Sequence, residues 1–379
     1  MMGEARHLSR AHIHLDRLTH NLRLLQKLVG TRPMWPAIKA NGYGHGMELV
    51  ASHLLKSGYD TICVAHISEA VTLIDAGLHA NYLLLSATLP EHSEAIVAYG
   101  CEPAVCTMEM VESLAIEAEK ADRQISVHLM VDTGMGRIGV TPSEVQSLLA
   151  QCQAFPRLRV RGLMSHFPCA DEKDKTLSHE QIRQFQDLAA LARSCGIETC
   201  HLANSAGILD LPDSHFDAVR PGIAMYGLRP SREIANPLVN ELKPVLEWKT
   251  QITMLKEVAS GVGLSYGHSF HTTQPSLIAT IPLGYGDGLN RNLSNRFEVL
   301  VGGLRCPQVG RITMDQSLLD VTRLRGKVGL GSEVVIIGRQ GEAEISADEL
   351  ADKLGTINYE IVTAITHRVA RIEETNHGT

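Results

Sequence analysis

ISVHLMVDTGMGRIGVTPSEVQSLLAQC, residues 125–152, contains in one stretch the unit from which the fold is read. ISVHLMVD (125–132) is an apolar, partly β-branched run of strand length, TGMGRIG is a glycine-punctuated loop, and TPSEVQSLLAQC opens on a Thr cap with Glu144 three residues later, a helix-start pattern. Strand, loop and helix in that order form a βα unit. The same alternation extends to both sides, with strand-like runs MWPAIK (34–39), TICVAH (61–66), YLLLS (82–86), EPAVC (102–106), LRVRGLMSH (158–166), ETCHLA (198–203) and DAVRP (217–221). Helical stretches such as GMELVASHLLKSG and SEAVTLIDAG lie between them. Eight parallel strands with intervening helices fit a closed (β/α)8 TIM-type barrel of the α/β class better than an open sheet. In such a barrel the active site lies where strands end and loops toward helices begin.

After about residue 240 the texture changes. VLEWKTQITMLKEV, SLIATIPLGYGDGL, RFEVLVGGLRCPQVGRITM and SEVVIIG are short β-type runs broken by Gly. The expected organisation is therefore a barrel over 12–240 and a second, mainly β domain over 241–379, with residues 1–11 as candidates to join the latter. The charge run DEKDKTLSHE (171–180) reads as a solvated loop.

The chain has 379 residues, enough for a barrel-sized domain plus a smaller one, and its net charge of −7 offers no general attraction for nucleic acid or anionic lipid. A small-molecule partner is expected. The opening MMGEARHLSRAHIHLDRL has no apolar core for a signal peptide, and no later stretch is long enough to span a bilayer, which points to the cytoplasm. The eight cysteines form no CxxC pair and read as reduced, and the histidines show no metal-ligand spacing, so no metal site is expected.

Chemistry gathers at the strand ends: Lys39 after the first strand, Asp132 and Arg137 after the fifth, His166 ending the sixth, Asn204 and Ser205 after the seventh, Arg220 on the eighth. Barrel geometry makes these positions neighbours. Lys39, behind WPAI and before the Gly-rich ANGYGHG, would be partly desolvated, and so a competent amine for a Schiff base or a base. A lysine reaching solvent at the rim accounts for that segment alone equally well. ANSAG (203–207) and RPGIAMYG (220–227) look like the phosphate site that barrels build after strands seven and eight, with simple helix capping as the alternative.

PAIKANGYGHG, VDTGMGRIG, GLMSHF, HLANSAG, VRPGIAMYG, LSYGHSF, GYGDG, GRITMDQ and TINYE resemble, in order and over nearly the whole chain, the signatures of the alanine racemase family. The resemblance implies a pyridoxal 5'-phosphate (PLP) enzyme, a barrel joined to a β domain, working as a homodimer whose sites borrow residues from the partner. By resemblance Lys39 is the Schiff-base lysine. Tyr43, Ser205, Gly222, Ile223 and Tyr359 hold the phosphate, and Asn204 belongs to the same pocket. His166 contacts the pyridine ring, and Arg220 donates to its nitrogen. A guanidinium there keeps the ring nitrogen unprotonated, which disfavours transamination and leaves racemisation. Lys39 and Tyr266 are the two opposed bases. A phenol is an indifferent base near neutrality, so a relay is needed, for which His166 and Arg220 are candidates. Arg137 and the backbone N–H of Met314 bind the substrate carboxylate, while Tyr285 and Tyr359 narrow the entrance.

Three positions depart from the commonest family pattern. Met130 stands where a lysine that becomes carbamylated is frequent, Thr313 where cysteine is frequent, and Gly286 where alanine is usual. Strict alanine specificity is thereby opened to a serine or broad-specificity racemase. Two rivals share the barrel plan: a PLP-binding regulator, which would not need the second domain or Tyr266, and a PLP decarboxylase. The decarboxylase would need a carboxylate where Arg220 stands.

Overall fold

The fold is that of a computed structural model, which describes residues 7–374. By its internal contacts the chain divides into two units. One, the barrel unit, comprises Asp16–Gly42 and Met47–Lys243; the other, the β unit, comprises the chain up to Leu15, Tyr43–Gly46 and the chain from Pro244 on.

The first strand of the chain, β1 (Arg10–Ile13), belongs to the β unit. The barrel unit holds six parallel strands hydrogen-bonded in sequence order: β2 (Thr61–Val64), β3 (Asn81–Leu84), β4 (Glu102–Val105), β5 (Ile125–Met130), β6 (Leu158–Met164) and β7 (Thr199–His201). The other two expected strands are present only as isolated bridges. Met34 pairs with Val219, Ala37 with Cys63 on β2, and Ala218 with His201 on β7, so segments 34–38 and 217–221 link the last strand back to the first. Trp35 N–H donates to Val219 O and Ala37 N–H to Pro221 O, at 2.8 Å each. Pro33, Pro36 and Pro221 lack N–H groups, which interrupts the ladder and reduces two strands to bridges.

Helices cover the outside for reasons visible in their sequence. In Leu15–Val29 the residues Leu18, Leu22, Leu25 and Val29 recur every three or four positions and are all buried. Thr107 caps Met108–Lys120 by accepting from Met110 N–H at 3.3 Å. The expected loop at 171–180 is corrected in its second half: Thr176–Ser194 is a helix that buries Ile182, Phe185, Leu188 and Ala189.

In the β unit the chain continues with β8 (Leu246–Gln251), β9 (Met254–Val258), the hairpin β10 (Gly263–Leu264) and β11 (Phe270–His271), β12 (Ser276–Ile281), β13 (Glu298–Val301), β14 (Leu304–Val309), β15 (Ser317–Asp320), β16 (Glu333–Gln340), β17 (Ala343–Ile345) and β18 (Ala370–Glu373). One sheet runs β18-β1-β8-β16-β13-β14-β15-β12-β9, with β17 on β16. Only the pairing of β1 with β18 is parallel. Two helices, Ala347–Leu354 and Asn358–Thr363, interrupt this β texture, the first capped by Ser346 and ended by Gly355 at φ 72°. Among the described residues no helix is long and apolar enough to cross a membrane, and all eight cysteines are unpaired.

Candidate active site

Lys39 opens an unusual turn. Ala40, Asn41 and Gly42 all have left-handed backbone angles, with φ of 52°, 55° and 63°, and Gly42 N–H reaches Ile38 O at 2.6 Å. Left-handed helical geometry costs roughly 1–2 kcal/mol per non-glycine residue, so this turn has to be held by its surroundings. Glu69 does so on one side: Oε1 accepts from Ala40 N–H at 2.7 Å, and Oε2 from Ala65 N–H at 2.7 Å. Asn41 Oδ1 does so on the other, accepting from Met47 N–H at 2.9 Å.

The half-buried Lys39 shares a cavity of about 250 Å³ with Arg137 and His166. Its remaining wall is mostly apolar: Leu85, Ala87, Met130, Ile138 and Met164, with Ser86. Burial, then the Arg137 charge, pull the Lys39 ammonium below its ordinary pKa, against the smaller opposing effects of Cys63 and Glu69. Arg137 comes from the loop after β5. Burial disfavours the Asp132 carboxylate, but three N–H donors, Gly134, Met135 and Gly136 at 2.9–3.1 Å, outweigh it and hold its pKa low. The loop is thus pinned by Asp132, while the Arg137 guanidinium makes no hydrogen bond or ion pair among the described residues. Met130 packs with Ala104 and Met164, so it supplies no acceptor for that guanidinium.

Arg220 is buried at 3% exposure and densely bonded. Nη2 donates to Ser165 O at 2.6 Å and Leu202 O at 3.2 Å and lies 3.4 Å from His166 Nδ1. Nη1 donates to His201 O at 3.1 Å and to His201 Nδ1. Nε is the one nitrogen of this guanidinium with no partner among the described residues. Burial lowers Arg220 to about 10, still cationic at neutral pH.

A row of side chains that the sequence reading missed continues from Arg220 through the barrel interior. Because His201 Nδ1 accepts from Arg220, its Nε2 carries the proton and donates to His128 Nδ1 at 2.9 Å; His128 Nε2 then donates to Glu102 Oε2 at 3.0 Å, and Arg161 closes the row on Glu102 Oε1. Both histidines are neutral, since burial lowers their pKa values. His166 is neutral for the same first reason, reinforced by the Arg220, Lys39 and Arg137 charges. The one available signal for the row was a polar residue inside an otherwise apolar strand, His128 in ISVHLMVD and His201 in ETCHLA.

The corner after β7 has the features of an anion cradle. Asn204 Oδ1 caps the next helix, accepting from Ala206 and Gly207 N–H at 3.1 and 3.0 Å. The Ser205 hydroxyl accepts from Gly222 N–H at 2.9 Å and Ala224 N–H at 3.2 Å. The backbone N–H groups of Ser205 and Ile223, both on buried residues, have no partner among the described residues. Two buried donors left open beside a hydroxyl suit a phosphate.

The remaining candidates lie in the β unit. Tyr43 and Tyr359 approach to 6.2 Å between ring centroids. Tyr359 sits on a helix that the sequence reading did not identify. Gly44, at φ 82°, is required by close approach: a Cβ there would lie 1.9 Å from Val362 O. Tyr285 and Met314 are brought together by Tyr285 N–H to Thr313 O at 3.0 Å and Gly286 N–H to Met314 O at 2.9 Å. Tyr266 follows Ser265, whose φ is 60° and whose Oγ donates to Arg311 O at 2.6 Å. Tyr266, Met314 and Tyr285 are exposed by 70%, 53% and 41%.

A desolvated lysine and a corner suited to an anion in one barrel fit a class of protein, the enzymes that hold a phosphorylated carbonyl compound through an amine. Comparison with known proteins narrows it. Residues 13–230 match the family described as "Alanine racemase, N-terminal domain" and residues 245–373 "Alanine racemase, C-terminal domain". Among curated relatives, the alanine racemase of Halothermothrix orenii is 42% identical over 95% of each chain, and that of Clostridium novyi 39% over 96% of this chain and 94% of its own. Among solved structures, alanine racemase from D-cycloserine-producing Streptomyces lavendulae superposes with a TM-score of 0.92 at 33% identity, covering 98% of both chains. Alanine racemase from Bacillus anthracis with bound L-Ala-P gives 0.91 at 34% identity, covering 98% of this chain and 96% of that one. This chain belongs to the alanine racemase family, whose cofactor is PLP.

Proposed function

We propose that this protein interconverts L- and D-alanine in the cytoplasm as a head-to-tail homodimer. PLP, when bound, joins the substrate amino group and weakens its Cα–H bond. Lys39 holds the cofactor aldehyde through its amine. Ser205, Gly222 and Ile223 would hold the phosphate, Asn204 would shape that corner through its cap, and by family resemblance Tyr43 and Tyr359 would be phosphate ligands as well. Arg220 would offer its open Nε–H to the ring nitrogen, with His166 Nδ1 3.4 Å from Nη2. The observation that carries the reading is this arginine: a carboxylate there would stabilise a protonated ring nitrogen, whereas a guanidinium with one open N–H would donate to it and leave it unprotonated.

Racemisation requires a proton to leave Cα on one face and another to arrive on the opposite face. Lys39 Nζ serves the face from which the D-enantiomer loses its proton, and burial, which lowers its pKa, moves it in the direction a general base requires. Tyr266 of the partner subunit serves the other face. Arg137 and the partner subunit's Met314, through its N–H, take the substrate carboxylate, and the partner's Tyr285 with Tyr359 narrows the entrance. The exposure of Tyr266, Met314 and Tyr285 in a single chain supports a site completed by a second copy.

Borohydride reduction with peptide mapping, alongside an alanine racemisation assay, tests the reading: an adduct anywhere but Lys39 would refute it. Subunit mixing tests the shared site. Lys39→Ala and Tyr266→Phe chains, each inactive alone, should regain about one quarter of wild-type activity after random exchange, since half the dimers are mixed and each has one intact site. No recovery would place both bases in one chain. An apolar Met130 and an Arg137 without an acceptor favour, as a second reading, broader specificity; initial rates with L-Ala and L-Ser decide between them.

A further inference from the structure

We propose that Glu69 is a positioning residue for the reaction: its carboxylate clamps the left-handed turn after Lys39 to the corner after β2 and so sets where the lysine amine points. This rests on Lys39 being the reacting lysine.

The clamp is two-sided. Oε1 accepts from Ala40 N–H, the first backbone donor after Lys39, at 2.7 Å, while Oε2 accepts from Ala65 N–H at 2.7 Å and His66 N–H at 3.4 Å. Glu69 is itself fixed, since it stands in the first turn of helix Ile67–Asp75, whose capping box with His66 it forms. An ordinary capping glutamate reaches back only to its own helix start. This one spans to a second segment 29 residues away, and that segment is strained. Ala40 adopts angles that residues other than glycine and asparagine avoid, and it is exposed, so no core packing holds its backbone. Without an acceptor on Ala40 N–H the turn can relax toward ordinary φ, and relaxation at residue 40 swings the residue before it. Arg137, Arg220, Cys63 and Glu69 are the titratable groups acting on the Lys39 amine; Cys63 is a buried, neutral thiol, so Glu69 is the carboxylate among them.

Three variants of the full-length holoenzyme test this. Glu69→Gln keeps the shape, but its amide offers one acceptor oxygen and points N–H groups at another donor. Glu69→Asp keeps the charge but is one carbon too short to span both corners. Thr107→Ala removes an unrelated helix cap as a control for general loss of stability. With both Glu69 variants, kcat for alanine should fall 10- to 100-fold, with KM within threefold. Thr107→Ala should leave both constants unchanged. In the apoprotein, hydrogen exchange at Ala40 N–H should accelerate at least tenfold in both Glu69 variants. Full activity in Glu69→Asp would reduce the residue to a charge near Lys39 and overturn the clamp. Unchanged Ala40 exchange, or a lowered melting temperature with unchanged kcat, would overturn it too. Borohydride mapping of the same samples separates the two readings: an adduct absent from Lys39 defeats the assignment of the lysine, whereas an adduct on Lys39 with unaffected kcat and exchange defeats the clamp alone.

Discussion

Replacing His128 with phenylalanine breaks the buried row at its middle. The imidazole donates to Glu102 at 3.0 Å and accepts from His201 at 2.9 Å, and phenylalanine does neither. Losing the bond to the carboxylate costs about 1.5–3 kcal/mol, and the orphaned Nε2–H of the fully buried His201 a further 1–3 kcal/mol or so. The ring also has to fit a slot where even a methyl on Gly162 would come within 2.3 Å of His128 Nδ1, so no relief comes from repacking. The expected loss is about 2.5–6 kcal/mol, read as a shift in denaturation midpoint at unchanged slope. His201, released from its donor role, is free to adopt the other tautomer, which takes the acceptor away from Arg220 Nη1; kcat should fall about tenfold. Glu102→Leu in the same background should cost less than it does alone, with a coupling of about 1.5–3 kcal/mol, because the two groups are partners. Additivity within 0.5 kcal/mol, or a single-variant cost below about 1 kcal/mol, would refute the connected row.

Other expectations follow from the same structure. His128 and His201 have pKa values below that of an unfolded imidazole, so the unfolded chain binds more protons in mild acid. Their stabilisation is complete above about pH 6.5 and is lost as pH falls toward their folded values, by about 1.4 kcal/mol per pH unit for each; proton uptake on unfolding near pH 5.5 measures it, and no uptake would contradict their neutrality. Gly44→Ala drives a Cβ into Val362 O at φ 82° and should destabilise by about 3 kcal/mol or more and weaken PLP binding, both accessible by thermal scans with and without cofactor. Met130→Lys buries an amine in the slot of Ala104 and Met164 and should lower stability by about 1–3 kcal/mol while tightening alanine KM when bicarbonate is supplied; a rise in melting temperature would count against this account of the slot.

All eight strand positions of the barrel were legible in the sequence because each is a short apolar run bounded by turn residues. What the pattern could not show is that prolines 33, 36 and 221 thin the first and last to bridges, because hydrophobicity does not report missing donors. The helical half of 171–180 was hidden by the charge run DEKDK just before it and by a first turn whose one apolar side chain, Leu177, is exposed; the buried apolar residues of that helix begin at Ile182. Lys39, Arg220 and Ser205 could be placed at the rim from strand ends and glycine-rich loops. Glu69 could not, because a hydrogen-bond partner 29 residues distant leaves no trace in local composition; His128 and His201 stood out as polar residues in apolar strands, but their pairing across 73 residues did not.

The row from Arg220 to Glu102 has a direction. Every N–H along it points the same way, and each neutral imidazole has one donor and one acceptor to offer, so neither ring can reverse without leaving two neighbours facing like with like. The tautomers are therefore set jointly, by a guanidinium at one end and a carboxylate at the other. For sequence change, the four residues behave as a single heritable character: a substitution at one histidine is a change to all of them, and drift along this path is passable only in steps that alter neighbours together.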